Sequence, residues 1–275
     1  MRKELIVLLV LLSVFLAIGC TDNGKDVKET ANETGTPVTA ETPAAGESEK
    51  LMVSAAASLT DAFTDIADKY EEENKGTDVS LNFGSSGNLR TQIEGGAPVD
   101  VFASADESQM NKLANESLID NSTREDFAQN SLVLIIPANS TLNIKSLEDL
   151  TNSKVEKIAV GNPDTVPVGN YTRTALTEVG LWNQTESKMI FGEDVKQVLT
   201  YVERGEVDAG FVYMTDAKVA DPETIEVVTN VSVSTPITYP IAVISSSENK
   251  EEAQKFVDFV DGAEGQEILN KYGFN

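Results

Sequence analysis

From residue 51 onward, short apolar runs alternate with amphipathic stretches of helical period, and few folds accept that alternation. A strand, a helix and a second strand in one sheet make a crossover, so the pattern predicts an α/β protein with largely parallel sheets covered by helices. The first unit reads as a strand over 51–56, the turn Ser58-Leu59-Thr60-Asp61, and a helix with Leu59, Phe63, Ile66, Ala67 and Tyr70 on one face. Ser58 followed three residues later by Asp61 predicts a capping box at that helix start. The second unit is a strand over 79–83, then Gly84-Ser85-Ser86-Gly87, then a helix carrying Leu89 and Ile93. A third strand, 99–103, leads through Asp106 into another helix. Later runs predict strands over 131–137, 158–161, 207–213 and 239–244, with an extended stretch over 227–237. Helices open at Val166-Pro167-Val168-Gly169 and at Glu193-Asp194-Val195, and the end of the chain is helical over 251–272 with a break near Gly262.

Five of these turns place small or polar residues at the C-terminal ends of strands, and four of them open helices. Open α/β sheets bind ligands at such positions, because the free N–H groups of the first helical turn and the helix dipole converge there. The ligand this chemistry favours is an anion. A serine at any one turn reads equally well as an N-cap, and only several such turns together point to a site.

The composition narrows the function further. There are 45 Asp plus Glu against 21 Lys plus Arg, a net charge of −24, which excludes nucleic acid as a default partner. The same acidity argues against an anion ligand only at long range, since screening over ~8 Å leaves a buried site to its immediate donors. With no histidine and one cysteine, the chain lacks the means for Ser-His-Asp or Cys-His catalysis, the commonest zinc sites and an internal disulfide. Asp61, Asp100, Glu193 and Asp194 are the carboxylates nearest the turns, and without histidine or a metal cluster to support them the chain is expected not to be an enzyme and to use no cofactor.

At the N-terminus Arg2 and Lys3 precede an apolar run over 5–18, shorter than the ~20 residues that span a bilayer. Residues 1–19 read as a signal peptide. The junction Leu16-Ala17-Ile18-Gly19-Cys20 resembles a lipoprotein signal, in which Cys20 becomes the lipid-bearing first residue; an ordinary signal with an incidental cysteine and an uncleaved anchor are the alternatives. Residues 20–49 carry almost no large apolar side chains and are expected to form a disordered tether behind the lipidated cysteine.

Taken in order, Ala55-Ala56-Ala57-Ser58-Leu59-Thr60-Asp61-Ala62-Phe63, Phe83-Gly84-Ser85-Ser86-Gly87, the stretch from Gly95-Gly96-Ala97-Pro98 to Asp106, Gly161-Asn162-Pro163 with Val166-Pro167-Val168-Gly169-Asn170-Tyr171, Glu193-Asp194-Val195 and Gly210-Phe211-Val212-Tyr213 resemble the molybdate-binding proteins of ABC importers. Lys271-Tyr272-Gly273-Phe274 is similar to that family's usual ending. The resemblance implies a two-lobed periplasmic-binding-protein fold of type II, each lobe a mixed, largely parallel sheet flanked by helices, with the ligand in the interlobe cleft. It implies chain crossings near Asn130 and Pro236, so that residues 50–130 and 237–275 form one lobe and 131–236 the other.

Carried over by position, the oxyanion ligands implied are Ser58 and Ser86 from the first lobe, and Val168, Val195 and Tyr213 from the second. The hydroxyls of Ser58, Ser86 and Tyr213 would donate, with main-chain N–H groups at Ser58, Val168 and Val195. Val168 stands where the family often has alanine, a change that a backbone contact tolerates. Apart from the terminal one, these strings contain no lysine or arginine. A cavity of neutral donors suits a fully ionised dianion and rejects a protonated one. The implied ligand is molybdate or tungstate in the tetrahedral pattern; the alternative within this class is a six-coordinate ligand to which Asp164 or Glu193 adds a carboxylate. The implied partner is a membrane permease with its ATPase, served by a monomer lipid-anchored at the extracytoplasmic face of the cell membrane. The alternatives are a binder of another oxyanion such as sulfate, and a surface interaction or sensor module without a transport role.

Overall fold

A computed structural model describes residues 49–275; the signal segment, Cys20 and nearly all of the tether lie outside the described residues. In chain order, β1 (Glu49–Ala56), α1 (Thr60–Glu73), β2 (Thr77–Gly84), α2 (Ser86–Glu94), β3 (Val101–Ala103), α3 (Glu107–Asn115) and β4 (Glu125–Asn130) come first. There follow β5 (Leu132–Pro137), β6 (Ile158–Gly161), α4 (Pro167–Glu178), α5 (Trp182–Thr185), β7 (Met189–Gly192), α6 (Val195–Glu203), β8 (Ala209–Tyr213), α7 (Met214–Val219) and β9 (Ile225–Val231). Then come β10 (Ile237–Val243), α8 (Lys250–Asp261) and α9 (Ala263–Tyr272). Among the described residues no helix is long and apolar enough to cross a membrane.

The strands form two five-stranded sheets, ordered β2-β1-β3-β10-β4 and β7-β6-β8-β5-β9. Both sheets repeat one plan: three parallel strands, a fourth antiparallel to them, and a fifth antiparallel to the fourth. The chain passes from the first sheet to the second between Asn130 and Leu132, and returns between Val231 and Ile237. Antiparallel pairings equal parallel ones, four of each, and all four involve the strands that flank these crossings. The C-terminal ends of the parallel strands, where their crossover helices begin, therefore lie at the same end of each sheet as the crossings.

Local sequence explains the elements that carry the site. All six residues of β5 are buried, as a Leu-Val-Leu-Ile-Ile run demands of a strand covered on both faces. Helix α1 buries Ala62, Phe63, Ile66, Ala67 and Tyr70, a stripe at helical spacing. Phe63 packs on Phe127 at 5.8 Å and Phe256 at 6.3 Å between ring centroids, and burial of one such side chain is worth roughly 1.5–3 kcal/mol. Two strands escape the apolar pattern. β4 reads Glu-Asp-Phe-Ala-Gln-Asn and lies at a sheet edge with Glu125 and Asp126 exposed, and β7 is an edge strand whose middle residues, Ile190 and Phe191, face solvent.

The capping box expected at Ser58 does not form. Ala57–Leu59 is instead a short 3-10 turn, α1 starts at Thr60 with Leu59 at the N-cap, and no side chain caps it. Asp61 is turned away, onto Lys196. At the β6-to-α4 turn, by contrast, the backbone is pressed so close that a Cβ on Gly169 would overlap the Gly161 carbonyl oxygen. Gly169→Ala should therefore destabilise the protein by at least ~1–3 kcal/mol in urea unfolding, the range for forced overpacking. A variant as stable as wild type would contradict this packing.

Candidate functional site

All five residues implied for ligand contact line one small, tightly closed cleft between the sheets, with a cavity volume of about 10 Å³. Ser58 sits in the turn after β1, Ser86 is the first residue of α2, Val168 the second of α4, Val195 the first of α6 and Tyr213 the last of β8. Every one is buried, Ser86 and Val168 completely. The N–H groups of Ser58, Ser86, Val168 and Val195 all belong to the first turn of a helix or 3-10 turn, where the helix itself supplies no acceptor.

The hydroxyls are equally telling. Tyr213 is 1% exposed, and its hydroxyl, at the cleft, has no hydrogen-bond partner. Burial pushes that phenol well above its ordinary range, so it remains an O–H donor. Ser86 Oγ accepts the Ala105 N–H at 3.0 Å, which leaves its own hydrogen free to be given away. Ser58 Oγ pairs with the Tyr239 hydroxyl at 3.0 Å. Ser85, which sequence reasoning passed over in favour of its neighbour, also lines the cleft with a buried, unpartnered hydroxyl. It stands at the N-cap of α2 and makes no capping bond. Where acids stand at the same position they do cap: Asp106 accepts from Gln109 N at 2.8 Å, and Asp194 from Gln197 N at 2.9 Å. The serines at the cleft are the helix-start side chains left free for something else.

Of the carboxylates near the turns, only Asp194 borders the cleft. Asp100 accepts from Met52 N at 2.8 Å and from Ser247 Oγ at 2.6 Å. Asp164 is exposed and paired with Arg173 at 3.1 Å, Glu193 is exposed, and neither lines the cleft. Asp194 does line it, with one carboxylate oxygen held by its capping bond to α6. Among the described residues, no group of three or more His, Cys, Asp or Glu is arranged to hold a metal ion.

A cation stands at the start of α6, where Lys196 follows Val195 directly. Its ammonium reaches across to Asp61 of the first lobe at 2.7 Å and lies 3.6 Å from the buried Asp216 of its own lobe. Burial opposes its charge, but Asp216 and Asp61 outweigh burial and hold its pKa above the ordinary lysine range. Lys196 is not part of the cleft lining. A second interlobe contact is made by backbone alone, the Gly87 N–H donating to the Thr165 carbonyl at 2.9 Å. A Cβ at Gly87 would lie 2.5 Å from that carbonyl oxygen, so the lobes close this tightly only over a glycine.

A model of the family described as bacterial extracellular solute-binding protein matches residues 51–275. The chain belongs to this family. Among its relatives, Bacillus subtilis YvgL, provisionally named an ABC transporter substrate-binding lipoprotein, is 38% identical over 224 residues, covering 82% of this chain and 85% of that protein. The Escherichia coli molybdate-binding protein ModA is 37% identical over 229 residues, covering 82% and 88%. The solved structure of the Azotobacter vinelandii periplasmic molybdate-binding protein superposes with a TM-score of 0.72 at 25% identity, covering 82% of this chain and 98% of that one. The two-lobed α/β architecture is shared with that structure.

Two outcomes follow for this solute-binding protein. Gly87→Ala should hold the lobes apart while leaving each core intact, read as a larger radius of gyration in small-angle scattering with the unfolding transition preserved; an unchanged radius would contradict the contact. Asp216 supplies a pH dependence. Burial raises its pKa from the ordinary 3.8 to about 6, even though Lys196 pulls it down. Between those values the folded state binds more protons than the unfolded one, so this group's cost to stability is absent below about pH 4 and grows as pH rises through about 6. Asp216→Asn should therefore gain stability relative to wild type on going from pH 4 to pH 7, by up to ~1.4 kcal/mol per pH unit in urea unfolding. A difference independent of pH would contradict a titrating Asp216.

Proposed function

We propose that this solute-binding protein is the receptor for molybdate, with tungstate as a second ligand, in an ABC importer. The observation that carries this reading is the lining of the cleft, where hydroxyl and N–H donors from both lobes meet without a lysine or arginine. In this reading Ser58, Ser86 and Tyr213 donate through their hydroxyls, and Ser58, Val168 and Val195 through their N–H groups. The unpartnered Ser85 hydroxyl is available as one donor more. Ligation from helix starts of both sheets makes binding stabilise the closed form, and the closed form is what a permease with its ATPase would recognise. The names of the relatives from E. coli and A. vinelandii support the choice of molybdate among oxyanions.

The chemistry selects by protonation first and size second. A fully ionised tetrahedral dianion offers only acceptors, so donors satisfy every lone pair it turns to the protein. Hydrogen phosphate would set its O–H against donors, a mismatch that costs roughly 1–3 kcal/mol or more in a buried site. Sulfate passes that filter and is discriminated by the dimensions of the cleft. No cofactor is required and nothing is transformed: the oxyanion is cargo. The protein works as a monomer at the extracytoplasmic face, held to the cell membrane by a lipid on Cys20 and a tether over residues 20–49, a reading that the lipoprotein name of YvgL supports.

Thermal unfolding of the purified protein with molybdate, tungstate, sulfate, phosphate or ferric iron tests this. Molybdate and tungstate at about a hundred times their Kd should raise the midpoint by roughly 5–10 °C, the equivalent of ~2.7 kcal/mol. A response to sulfate or phosphate with none to molybdate would overturn the proposal. By calorimetric titration, Ser86→Ala and Tyr213→Phe should each weaken molybdate binding at least ~tenfold, as loss of a hydrogen bond to a charged group implies. Unchanged affinity in both variants would remove the site assignment.

A further inference from the structure

Resting on that reading, we infer that Tyr239 and Asn130 are positioning residues: together they fix which way the Ser58 hydroxyl points its hydrogen, and so help keep the hydroxyls that line the cleft turned to it as donors. Neither residue lines the cleft. Asn130 is the last residue of β4, at the chain's first crossing, and pairs with Ile237 at the start of β10. Tyr239, two residues further along β10, is fully buried, with its ring set edge-on to Phe127, Tyr213 and Phe274 at centroid distances of 6.3, 5.8 and 5.4 Å. Three aromatic neighbours leave that ring one orientation, with its hydroxyl at Ser58.

The direction of each hydrogen bond follows from donor counting. Asn130 Oδ1 accepts the Ser131 N–H at 2.8 Å, which assigns the other end of the amide as Nδ2. Nδ2 can only donate, and it does so twice, to Thr215 Oγ1 at 2.8 Å and to the Tyr239 hydroxyl at 3.2 Å. The Tyr239 oxygen is thereby an acceptor toward Asn130, and its single hydrogen is left for Ser58 Oγ at 3.0 Å. Were Ser58 to donate instead, the Tyr239 oxygen would face two donors and its buried hydrogen would have no acceptor. Ser58 therefore accepts from Tyr239 and turns its own hydrogen to the cleft. Burial, with the Asp216 charge adding to it, keeps the Tyr239 phenol protonated far above neutral pH.

Ser86 reaches the same polarity by a different route, since its oxygen accepts the backbone N–H of Ala105, which only proline would remove. At Ser58 the polarity is held by side chains and can be changed. Removing the Tyr239 hydroxyl frees a lone pair on Ser58 to accept, which weakens the discrimination against oxyanions that carry a proton. Replacing the Asn130 amide by a carboxylate reverses the chain: Tyr239 then donates to that carboxylate, Ser58 donates to Tyr239, and the Ser58 hydroxyl shows the ligand a lone pair.

The test is calorimetric titration of wild type, Tyr239→Phe, Asn130→Asp and the double variant with molybdate, and with phosphate as the protonated competitor. Tyr239→Phe keeps the packed ring, and its ligand-free unfolding transition checks that the fold is retained. It should weaken molybdate binding ~threefold or more and reduce the preference for molybdate over phosphate by a larger factor. Asn130→Asp should weaken molybdate binding ~tenfold or more, and should add little once Tyr239 is phenylalanine, because it acts through that hydroxyl. An Asn130→Asp effect of equal size in both backgrounds would assign the loss to the new charge and overturn the inference. So would Tyr239→Phe binding molybdate as wild type does with the same preference over phosphate. Wild type binding none of the oxyanions would instead overturn the proposed function on which the inference rests.

Discussion

A buried O–H or N–H without an acceptor costs roughly 1–3 kcal/mol, and this fold concentrates such groups in one cleft. The Tyr213 and Ser85 hydroxyls are both out of water and unpartnered there, beside the helix-start N–H groups of Ser86, Val168 and Val195. A protein tolerates that concentration of unmet donors where something with lone pairs completes it. The rest of the architecture serves to bring the donors together. Each sheet turns the C-terminal ends of its three parallel strands toward the cleft, and each parallel strand leads, directly or through a short turn, into a helix or 3-10 turn, so equivalent plans in the two lobes deliver equivalent donors from opposite sides.

Closure of the cleft rests on different physics. Lys196 spans the lobes to Asp61 and is steadied by the buried Asp216, while Gly87 and Thr165 join backbone to backbone. The Lys196 charge is thus spent on holding lobe to lobe, and the donors that line the cleft are neutral. That division explains how a chain of net charge −24 can present an anion site: the long-range field is screened over ~8 Å, and what remains is set by atoms in contact. Neutral donors also discriminate by protonation state, because an anion's own O–H finds no acceptor among them.

Much of this was legible in the sequence because the relevant signals are local. The strand-turn-helix pattern is written in apolar runs of the right length, and the resemblance of the ordered turn strings led to Ser58, Ser86, Val168, Val195 and Tyr213, which the fold does gather at one cleft. Signals that depend on partners far along the chain were not legible. Ser58 and Asp61 have capping-box spacing, but their side chains are claimed by Tyr239, 181 residues away, and by Lys196, 135 residues away. Strand β4 is a polar edge strand with little apolar alternation to mark it, and its last residue, Asn130, gains its meaning only from Thr215 and Tyr239. Ser85 and Ser86 are indistinguishable by type; only the helix start and the Ala105 N–H give their hydroxyls different surroundings.

The most direct test of the account is a crystal structure of the protein grown with molybdate, with the metal located by its anomalous scattering. The account predicts a single molybdenum position between the lobes, its oxygens within hydrogen-bonding distance of the Ser58, Ser86 and Tyr213 hydroxyls and of the Val168 and Val195 N–H groups, with Lys196 still paired to Asp61. A molybdenum position outside this cleft, or one held by Lys196 or by the Asp194 carboxylate, would contradict it.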